Sequence, residues 1–357
     1  MKKLFVLVFA IALCLGVLCF GASADCDENG FGVGNDEGKY QPAEQDENGV
    51  YQIGNAGQLY WFAQYVNQLY TNWSACAELT ADITINEGVL DAVSDDNTAK
   101  LIPWTPINIY MGTFDGNGHT ISGLYLHGSE LSPGGNTGMF GSVLGTVKNL
   151  ALADSHIGVE FRASSAENPS CIGGICGTVG AKATVSGCSF NGTVSAVTAK
   201  GTDRPAAGGI CGQNNGNLEN CTFYGSLTAM NVDDDSKSSN TILSLGGGIC
   251  GWNIGTVKGC KNYGEITGGG YNPAVGGICG EGLLGKVEGT GAEVLGTIQN
   301  CENYGEVTSI TKGGEGNSSY AGGIWGCGSG KLIDCKNNAK VLGANYAGSI
   351  AGNIENG

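Results

Sequence analysis

The sequence predicts an all-β fold, a right-handed parallel β-helix (solenoid) that carries a short capping helix near its N-terminus. Glycine supplies 64 of the 357 residues without the strict triplet period of collagen, so the chain must contain very many turns. A unit of roughly 20 residues recurs along the chain, as in GGICGQNNGNLENCTFYGSLTA (208–229) and GGICGWNIGTVKGCKNYGEITG (247–268). Frequent turns and a repeated unit together favour a stack of similar coils.

The first 24 residues predict export. Lysines at positions 2 and 3 precede an apolar run over 4–20, and small residues at 22–24 provide a cleavage site. This is the pattern of a secretory signal peptide (1–24), with cleavage expected after Ala24. We therefore expect a secreted or cell-surface protein that does not insert into the membrane after cleavage. A retained membrane anchor is the alternative, which the shortness of the run disfavours.

The charge balance argues against two classes of partner. Removal of the leader takes away two lysines and leaves 15 basic against 33 acidic residues, a formal net charge of −18. So acidic a chain repels nucleic acid and anionic membranes, and we expect neither as a partner. Acidic residues concentrate between Asp25 and Glu47, and we interpret residues 25–50 as a solvated acidic leader segment.

The repeated unit consists of short apolar segments bounded by glycine. Each unit has three such segments, rich in β-branched residues, which predict three strands and three turns per coil. Every unit also has a glycine two residues after its first aligned apolar position, where the backbone must turn or approach another strand closely. These glycines are Gly141, Gly177, Gly212, Gly251, Gly280, Gly326 and Gly352.

The region before the repeats differs from them, and we assign 51–137 to an N-terminal cap with irregular first coils. Within it, residues 55–70 predict a helix with Asn55 and Gln58 in a capping box. Its apolar stripe is Leu59, Phe62, Ala63, Val66 and Leu69. We expect this helix to cover the open end of the first coils and block edge pairing. The repeats occupy 138–357, and because the sequence stops after the first strand of a unit we expect them to be truncated.

Two stretches carry a family resemblance. GMFGSVLGTVKNLALADSHI (138–157) and the later GGICG units resemble the GLUG repeat of bacterial surface proteins. YQIGNAGQLYWFAQYVN (51–67) and GTFDGNGHTISGLY (112–125) resemble the segment that often precedes such repeats in secreted proteins of Gram-positive gut bacteria. The resemblance implies a β-helix. It implies no single activity, because GLUG repeats occur in adhesins and beside catalytic domains such as immunoglobulin-A peptidases.

Cysteine is more frequent in this chain than the GLUG motif requires. It recurs at two equivalent positions of successive repeats, which we call the first and second columns, and the pattern indicates that these side chains pack in the core. Cysteine exchanges with Leu, Phe, Trp and Ala at equivalent positions, and these residues neither ligate metal nor form disulfides. The second column contains Cys188, Cys221, Cys260, Cys301 and Cys335. Disulfides between neighbouring coils are the alternative, since equivalent Cα atoms lie within disulfide reach. There is no C-x-x-C, so we expect no metal and no cofactor. We expect the first column to be less enclosed than the second, because it also accepts Trp, Phe and Ala. Its residues are Phe140, Cys176, Cys211, Cys250, Cys279, Trp325 and Ala351.

Few residues suggest a catalytic or ligand site. Asp233, Asp234 and Asp235 form a weak candidate cation site within a polar spacer. Tyr271 and Tyr320 are weak candidates for stacking on sugars. We expect the column Tyr224, Tyr263 and Tyr304, and the pair Phe190 and Phe223, to be packing ladders. The histidines His119, His127 and His156 share no pattern, and we expect each to be a surface or turn residue.

These observations favour an exported, non-enzymatic binding or adhesion module at the bacterial cell surface. Its partner would be a host or microbial surface glycan or protein, held along the edge where the spacers between coils emerge. One alternative is a carbohydrate-active β-helix enzyme of the polysaccharide lyase or glycosidase type, or the non-catalytic portion of one. A second alternative is a structural spacer that displays another domain.

Overall fold

A computed structural model describes most of the chain as a parallel β-solenoid. The described residues are 25–33, 38–128, 135–161, 170–198, 205–232, 244–282, 284–286, 293–311, 318–343 and 345–353. The predicted signal peptide and the aspartates at 233–235 lie outside them. The all-β prediction is confirmed, because strands stack into long parallel sheets and helices are confined to the N-terminal region.

The N-terminal region contains the two helices of the described residues and short strands. Its elements are β1 (Glu44–Gln45), β2 (Tyr51–Ile53), α1 (Ala56–Gln68), a 3₁₀ turn (Tyr70–Asn72), β3 (Ala77–Leu79), β4 (Ile83–Thr84), α2 (Val89–Ser94), β5 (Ile107–Tyr110), β6 (Thr113–Asp115), β7 (Thr120–Ser122) and β8 (Tyr125–Gly128).

The coils that follow are built alike. Coil 1 has β9 (Asn136–Thr137), β10 (Phe140–Val143), β11 (Thr146–Lys148) and β12 (Ala151–Phe161). Coil 2 has β13 (Ser170–Gly173), β14 (Cys176–Val179), β15 (Thr184–Ser186) and β16 (Ser189–Thr198). Coil 3 has β17 (Pro205–Gly208), β18 (Cys211–Asn214), β19 (Asn217–Glu219), β20 (Thr222–Phe223) and β21 (Ser226–Asn231).

The later coils keep this order, with an insertion in coil 5. Coil 4 has β22 (Ser244–Gly247), β23 (Cys250–Asn253), β24 (Thr256–Lys258), β25 (Lys261–Asn262) and β26 (Glu265–Gly270). Coil 5 has β27 (Pro273–Gly276), β28 (Cys279–Gly282), β29 (Leu284–Lys286), β30 (Glu293–Leu295), β31 (Thr297–Gln299), β32 (Glu302–Asn303) and β33 (Val307–Thr311). Coil 6 has β34 (Tyr320–Gly322), β35 (Trp325–Gly328), β36 (Lys331–Ile333), β37 (Lys336–Asn337) and β38 (Val341–Gly343), and β39 (Tyr346–Gly348) follows it.

Equivalent strands of successive coils pair in parallel and form four sheets. Following the chain within one coil, sheet 1 contains β13, sheet 2 contains β14, sheet 3 contains β15 and sheet 4 contains β16. The register confirms the columns aligned from the sequence. Cys176 pairs with Phe140 and Cys211, Val257 pairs with Leu218 and Ile298, and Ile266 pairs with Leu227 and Val307.

The prediction of three strands per coil is wrong, because each coil has the additional strand of sheet 1. This strand lies just before the aligned unit and has sequences such as PAAG in β17 and PAVG in β27. Small residues and proline carry little β-strand signal, so the repeat pattern does not predict this strand. The insertion in coil 5 contains an antiparallel hairpin of β29 and β30.

The invariant glycine of sheet 2 lies where two backbones come together. A Cβ placed on Gly251 would lie 2.7 Å from the carbonyl carbon of Ala206 and from the nitrogen of Ala207. Both residues belong to β17, the sheet 1 strand of the preceding coil. Sheets 1 and 2 therefore pack backbone against backbone, a distance that excludes any side chain at this position. Gly177, Gly212, Gly280 and Gly326 meet equivalent backbone atoms.

The interior is filled by ladders of identical or similar residues. Phe190 and Phe223 stack with ring centroids 6.1 Å apart and no solvent exposure, which confirms their predicted ladder. In coils 4, 5 and 6 the residue at the equivalent position is asparagine. Asn262 Nδ2 donates to Asn303 Oδ1 at 2.7 Å, and Asn303 Nδ2 donates to Asn337 Oδ1 at 2.8 Å. Each buried amide is thus satisfied by the coil beside it.

Helix α1 covers the N-terminal end as predicted. Phe62 is fully buried, with its ring centroid 6.3 Å from that of Tyr110 and 6.2 Å from that of Phe114. Asn55 Oδ1 accepts from the Gln58 N–H at 2.9 Å, whereas Gln58 Oε1 accepts from the Gly54 N–H, one residue earlier than in a standard capping box. Leu69 is 56% exposed, because it follows the helix as an extended residue rather than continuing the stripe.

The acidic leader segment is not simply solvated, contrary to our expectation. Phe31 and Tyr40 pack on Tyr60 of α1 with centroid distances of 5.6 Å and 5.3 Å. The Gly57 N–H, near the start of α1, donates to the Asn29 carbonyl at 2.7 Å. Aromatic residues within the segment therefore fold it against the cap, whereas the acidic side chains that the structure describes there are exposed.

Candidate functional site

A cleft beside α1 is a candidate ligand site. Its volume is about 720 Å³, within the usual range for small-molecule sites. We call it the cap cleft and define it by its lining residues, which are Tyr40, Tyr60, Trp61, Ala63, Gln64, Tyr65, Asn67, Gln68, Ile102, Pro103 and Thr105.

Aromatic rings form much of the cap cleft. Trp61 and Tyr65 lie one helical turn apart, so their side chains meet on the same face of α1. Their rings are nearly parallel, at 12°, with centroids 5.2 Å apart. Tyr51 of β2 packs on both rings, at 5.4 Å and 5.3 Å, and holds them in place from the side.

The other end of the cleft is fixed by Tyr60. Its ring packs against Trp104 at 5.1 Å, and its hydroxyl donates to the Pro103 carbonyl at 3.1 Å. Burial raises the pKa of the Tyr60 phenol above its ordinary value, so the group stays neutral. The ring is therefore a rigid, uncharged wall.

Amide and hydroxyl groups supply the polar part of the lining. The side chains of Gln64, Gln68 and Thr105 are exposed. The Asn67 side chain, in contrast, donates to the Pro106 carbonyl and accepts from the Asn108 N–H. None of the described residues that line the cleft is charged. The arrangement combines apolar ring surface with amides that both donate and accept hydrogen bonds.

The aromatic residues proposed from the sequence lie elsewhere. Tyr271 is only 3% exposed, so its assignment as a surface residue for sugar stacking was wrong. Tyr320 is half-buried and stacks on Tyr346, with centroids 5.1 Å apart and planes at 11°. The cap cleft was missed, because its aromatic residues read as part of an amphipathic helix and nothing in the repeat pattern marks them.

A tyrosine ladder also lies on the surface of sheet 4. Tyr224, Tyr263 and Tyr304 stack with centroid distances of 5.2 Å and 4.9 Å, as the sequence predicted. They are 48%, 43% and 41% exposed, which the sequence did not predict. Their faces cover one another, so the ladder presents ring edges and hydroxyls to solvent. The Tyr304 hydroxyl donates to Glu302, which is paired with Lys261 at 3.2 Å.

The histidines are not all surface residues. His119 lies at the surface with Nδ1 3.1 Å from Asp82 Oδ1, and His127 is exposed. His156 is 6% exposed, however, and its ring centroid lies 5.7 Å from that of His127. The pKa of His156 is lowered to about 4, mainly by burial and to a smaller extent by the nearby His127. The prediction of a surface position for His156 was therefore wrong, and the parallel strands β8 and β12 bring these two histidines together.

Both cysteine columns are enclosed in the core. In the second column Cys188, Cys221, Cys260 and Cys301 are at most 1% exposed, and only Cys335 is half-buried. The first column is equally enclosed at Cys176, Cys211, Cys250 and Cys279, so the expected difference between the columns was wrong. No disulfide joins these cysteines in the structure. Burial raises the pKa of the thiols of Cys211, Cys260 and Cys279 well above its ordinary value.

Among the described residues, no helix combines the length and the apolar character that a membrane span requires. No cluster of three or more His, Cys, Asp or Glu side chains there has an arrangement that could hold a metal ion.

Comparison with known proteins supports the repeat and the fold. Residues 168–195 match the family model of the GLUG motif, which confirms the resemblance for that repeat. No curated protein matches the chain. The chain is similar to the crystal structure of a protein from Bacteroides ovatus described as a putative immunoglobulin A1 protease, with 19% identity and a TM-score of 0.55. The similarity covers 87% of this chain and 84% of the other, and at this identity it concerns the fold alone.

Proposed function

We propose that this chain is an exported, non-enzymatic binding module that holds a neutral glycan in the cap cleft. The observation that carries the proposal is the lining of the cleft, with the stacked rings of Trp61 and Tyr65 beside the exposed amides of Gln64 and Gln68. The exported location rests on the signal peptide predicted at residues 1–24. A host or microbial surface glycan is the partner that this combination fits best.

The chemistry of a sugar matches this lining. A pyranose ring has an apolar face of C–H groups and a rim of hydroxyls. The apolar face packs on an indole or phenol ring, and the hydroxyls pair with groups that donate and accept hydrogen bonds. Because Tyr51 and Tyr60 fix the surrounding rings, little side-chain entropy is lost when a ligand binds.

The charge of the chain favours a neutral ligand over an acidic one. With a net charge of −18 predicted for the mature chain, anionic polysaccharides are repelled at long range. No charged residue among the described lining residues offsets that repulsion. Neutral glycans are unaffected by it.

The proposal is tested on a glycan array followed by calorimetry with the best neutral ligand. Trp61→Ala should weaken binding by roughly tenfold to a hundredfold, because truncation of a central aromatic contact costs about 2 kcal/mol. Tyr70→Ala is the matched control, since Tyr70 is 76% exposed and lies just beyond α1 outside the cleft. It should leave affinity unchanged.

Other outcomes would overturn the proposal in distinguishable ways. Binding that survives Trp61→Ala but disappears when residues 233–243 are deleted would place the ligand on the loop edge. Release of unsaturated or reducing ends from a polysaccharide would make the chain an enzyme. Absence of binding to any neutral glycan would favour a spacer.

A further inference from the structure

We infer that His127 and His156 form a binding site for a divalent transition-metal ion of the zinc class. The site lies on the outer face of sheet 4, where β8 pairs with β12, and it is separate from the cap cleft. A cavity of about 190 Å³ opens there, lined by His127, His156, Gly158, Val159, Glu160, Ser195 and Val197.

The two imidazoles lie beside Gly158. A Cβ placed on Gly158 would lie 2.3 Å from His156 Nε2 and 2.9 Å from His127 Nδ1, so these two nitrogens are close to one another. Because residue 158 has no side chain, one nitrogen from each ring borders the same space. Zinc binds imidazole nitrogen at roughly 2.0–2.1 Å, and it accepts water at the positions that protein does not fill. An ion that contacts both nitrogens would have two protein ligands, and solvent would complete its coordination.

The environment of His156 Nε2 also indicates a ligand. The residue is 6% exposed, and this nitrogen has no hydrogen-bond partner among the described residues. A buried polar atom without a partner costs about 1–3 kcal/mol, so such atoms usually have a ligand or water. A metal ion above Gly158 would satisfy it.

The other nitrogen of His156 is already placed as metal ligation requires. Nδ1 lies 2.6 Å from Thr193 Oγ1 on the adjacent strand β16. If Nδ1 carries the proton and donates to this hydroxyl, Nε2 has its lone pair directed outward. Metal-ligating histidines are commonly oriented by such a bond on the second nitrogen. Glu160 lines the same cavity and adds negative charge beside it.

The site is tested by titrating untagged, EDTA-treated protein with zinc chloride in a calorimeter. We expect saturable binding of one ion per chain in the micromolar to sub-millimolar range. His127→Ala should weaken it roughly tenfold or more, and because His127 is exposed this variant should keep its fold. Gly158→Ala should have a similar effect while retaining both imidazoles. His119→Ala is the matched control and should bind as tightly as the parent chain.

Nuclear magnetic resonance provides the second readout, because zinc should shift the ring signals of His127 and His156 but not those of His119. Should Gly158→Ala fail to fold by circular dichroism, the His127→Ala titration decides the matter. The inference is overturned if no saturable one-to-one binding occurs up to about 1 mM zinc. It is overturned equally if His127→Ala retains full affinity or if His119→Ala loses it.

Discussion

The thiol of Cys260 lies in the core between two neighbours of its own kind, Cys221 and Cys301. Its Sγ donates to the Lys258 carbonyl at 3.5 Å, and the Cys221 N–H donates to it at 3.4 Å. The side chain thus fills space and satisfies backbone groups of its own coil and the neighbouring one. Cysteine serves here as a small, weakly polar core residue.

We predict that Cys260→Ala lowers the free energy of unfolding by about 1–2 kcal/mol, because it removes a buried sulfur and leaves a small cavity. Cys335→Ala, in the same column but half-buried, should cost less than half as much. Chemical denaturation monitored by circular dichroism measures both. If the parent chain loses several degrees of melting temperature in a reducing agent, the cysteines form disulfides and this packing interpretation is wrong.

Among the secondary-structure elements, helix α1 covers the exposed edge of strand β5. β5 is the terminal strand of sheet 2, and such an edge readily pairs with another chain. Asn67 of α1 donates through Nδ2 to the Pro106 carbonyl at 2.8 Å and accepts through Oδ1 from the Asn108 N–H at 2.8 Å. One side chain therefore occupies a donor and an acceptor of that edge.

We predict that Asn67→Ala exposes this edge and causes concentration-dependent self-association, with a loss of roughly 1–3 kcal/mol from the unpaired backbone groups. Size-exclusion chromatography with light scattering measures the association. Gln68→Ala is the control, because the neighbouring Gln68 is exposed and makes none of these bonds. A monomeric Asn67→Ala variant with unchanged stability would show that the helix body, and not Asn67, protects the edge.

Across the whole molecule, stability is distributed along the stack, because each strand pairs with its equivalents in the coils before and after it. A core residue removed from one coil should therefore weaken first the coils that stack directly on it.

We predict that truncation of a core residue lowers the protection of amides against hydrogen exchange in adjacent coils more than in distant coils. Hydrogen exchange followed by mass spectrometry measures this difference. Val257→Ala in coil 4 should reduce protection in coils 3 and 5 more than in coil 1, since Val257 pairs directly with Leu218 and Ile298. Equal loss of protection in every coil would indicate all-or-none unfolding instead.

Much of the fold could be predicted because residues that are neighbours in a solenoid occupy equivalent positions in successive sequence repeats. Residues such as Val185, Leu218 and Val257 align in the sequence and pair in the structure, since each coil repeats the one before it. The strands of sheet 1 were missed because PAAG and similar segments have small residues whose role is close approach and not side-chain packing.

The sequence by itself determined the parallel solenoid, the columns that stack and the capping helix, because repetition and periodicity are local properties of the chain. Only the tertiary structure decided which side chains share a surface. The cap cleft joins residues of α1 to the 102–105 segment, and the histidine pair joins β8 to β12. Both depend on distances between segments that are far apart in the chain and outside the repeat register. The exposure of Tyr224 and the burial of His156 were unpredictable for the same reason, since neighbouring strands decide how much solvent each side chain meets.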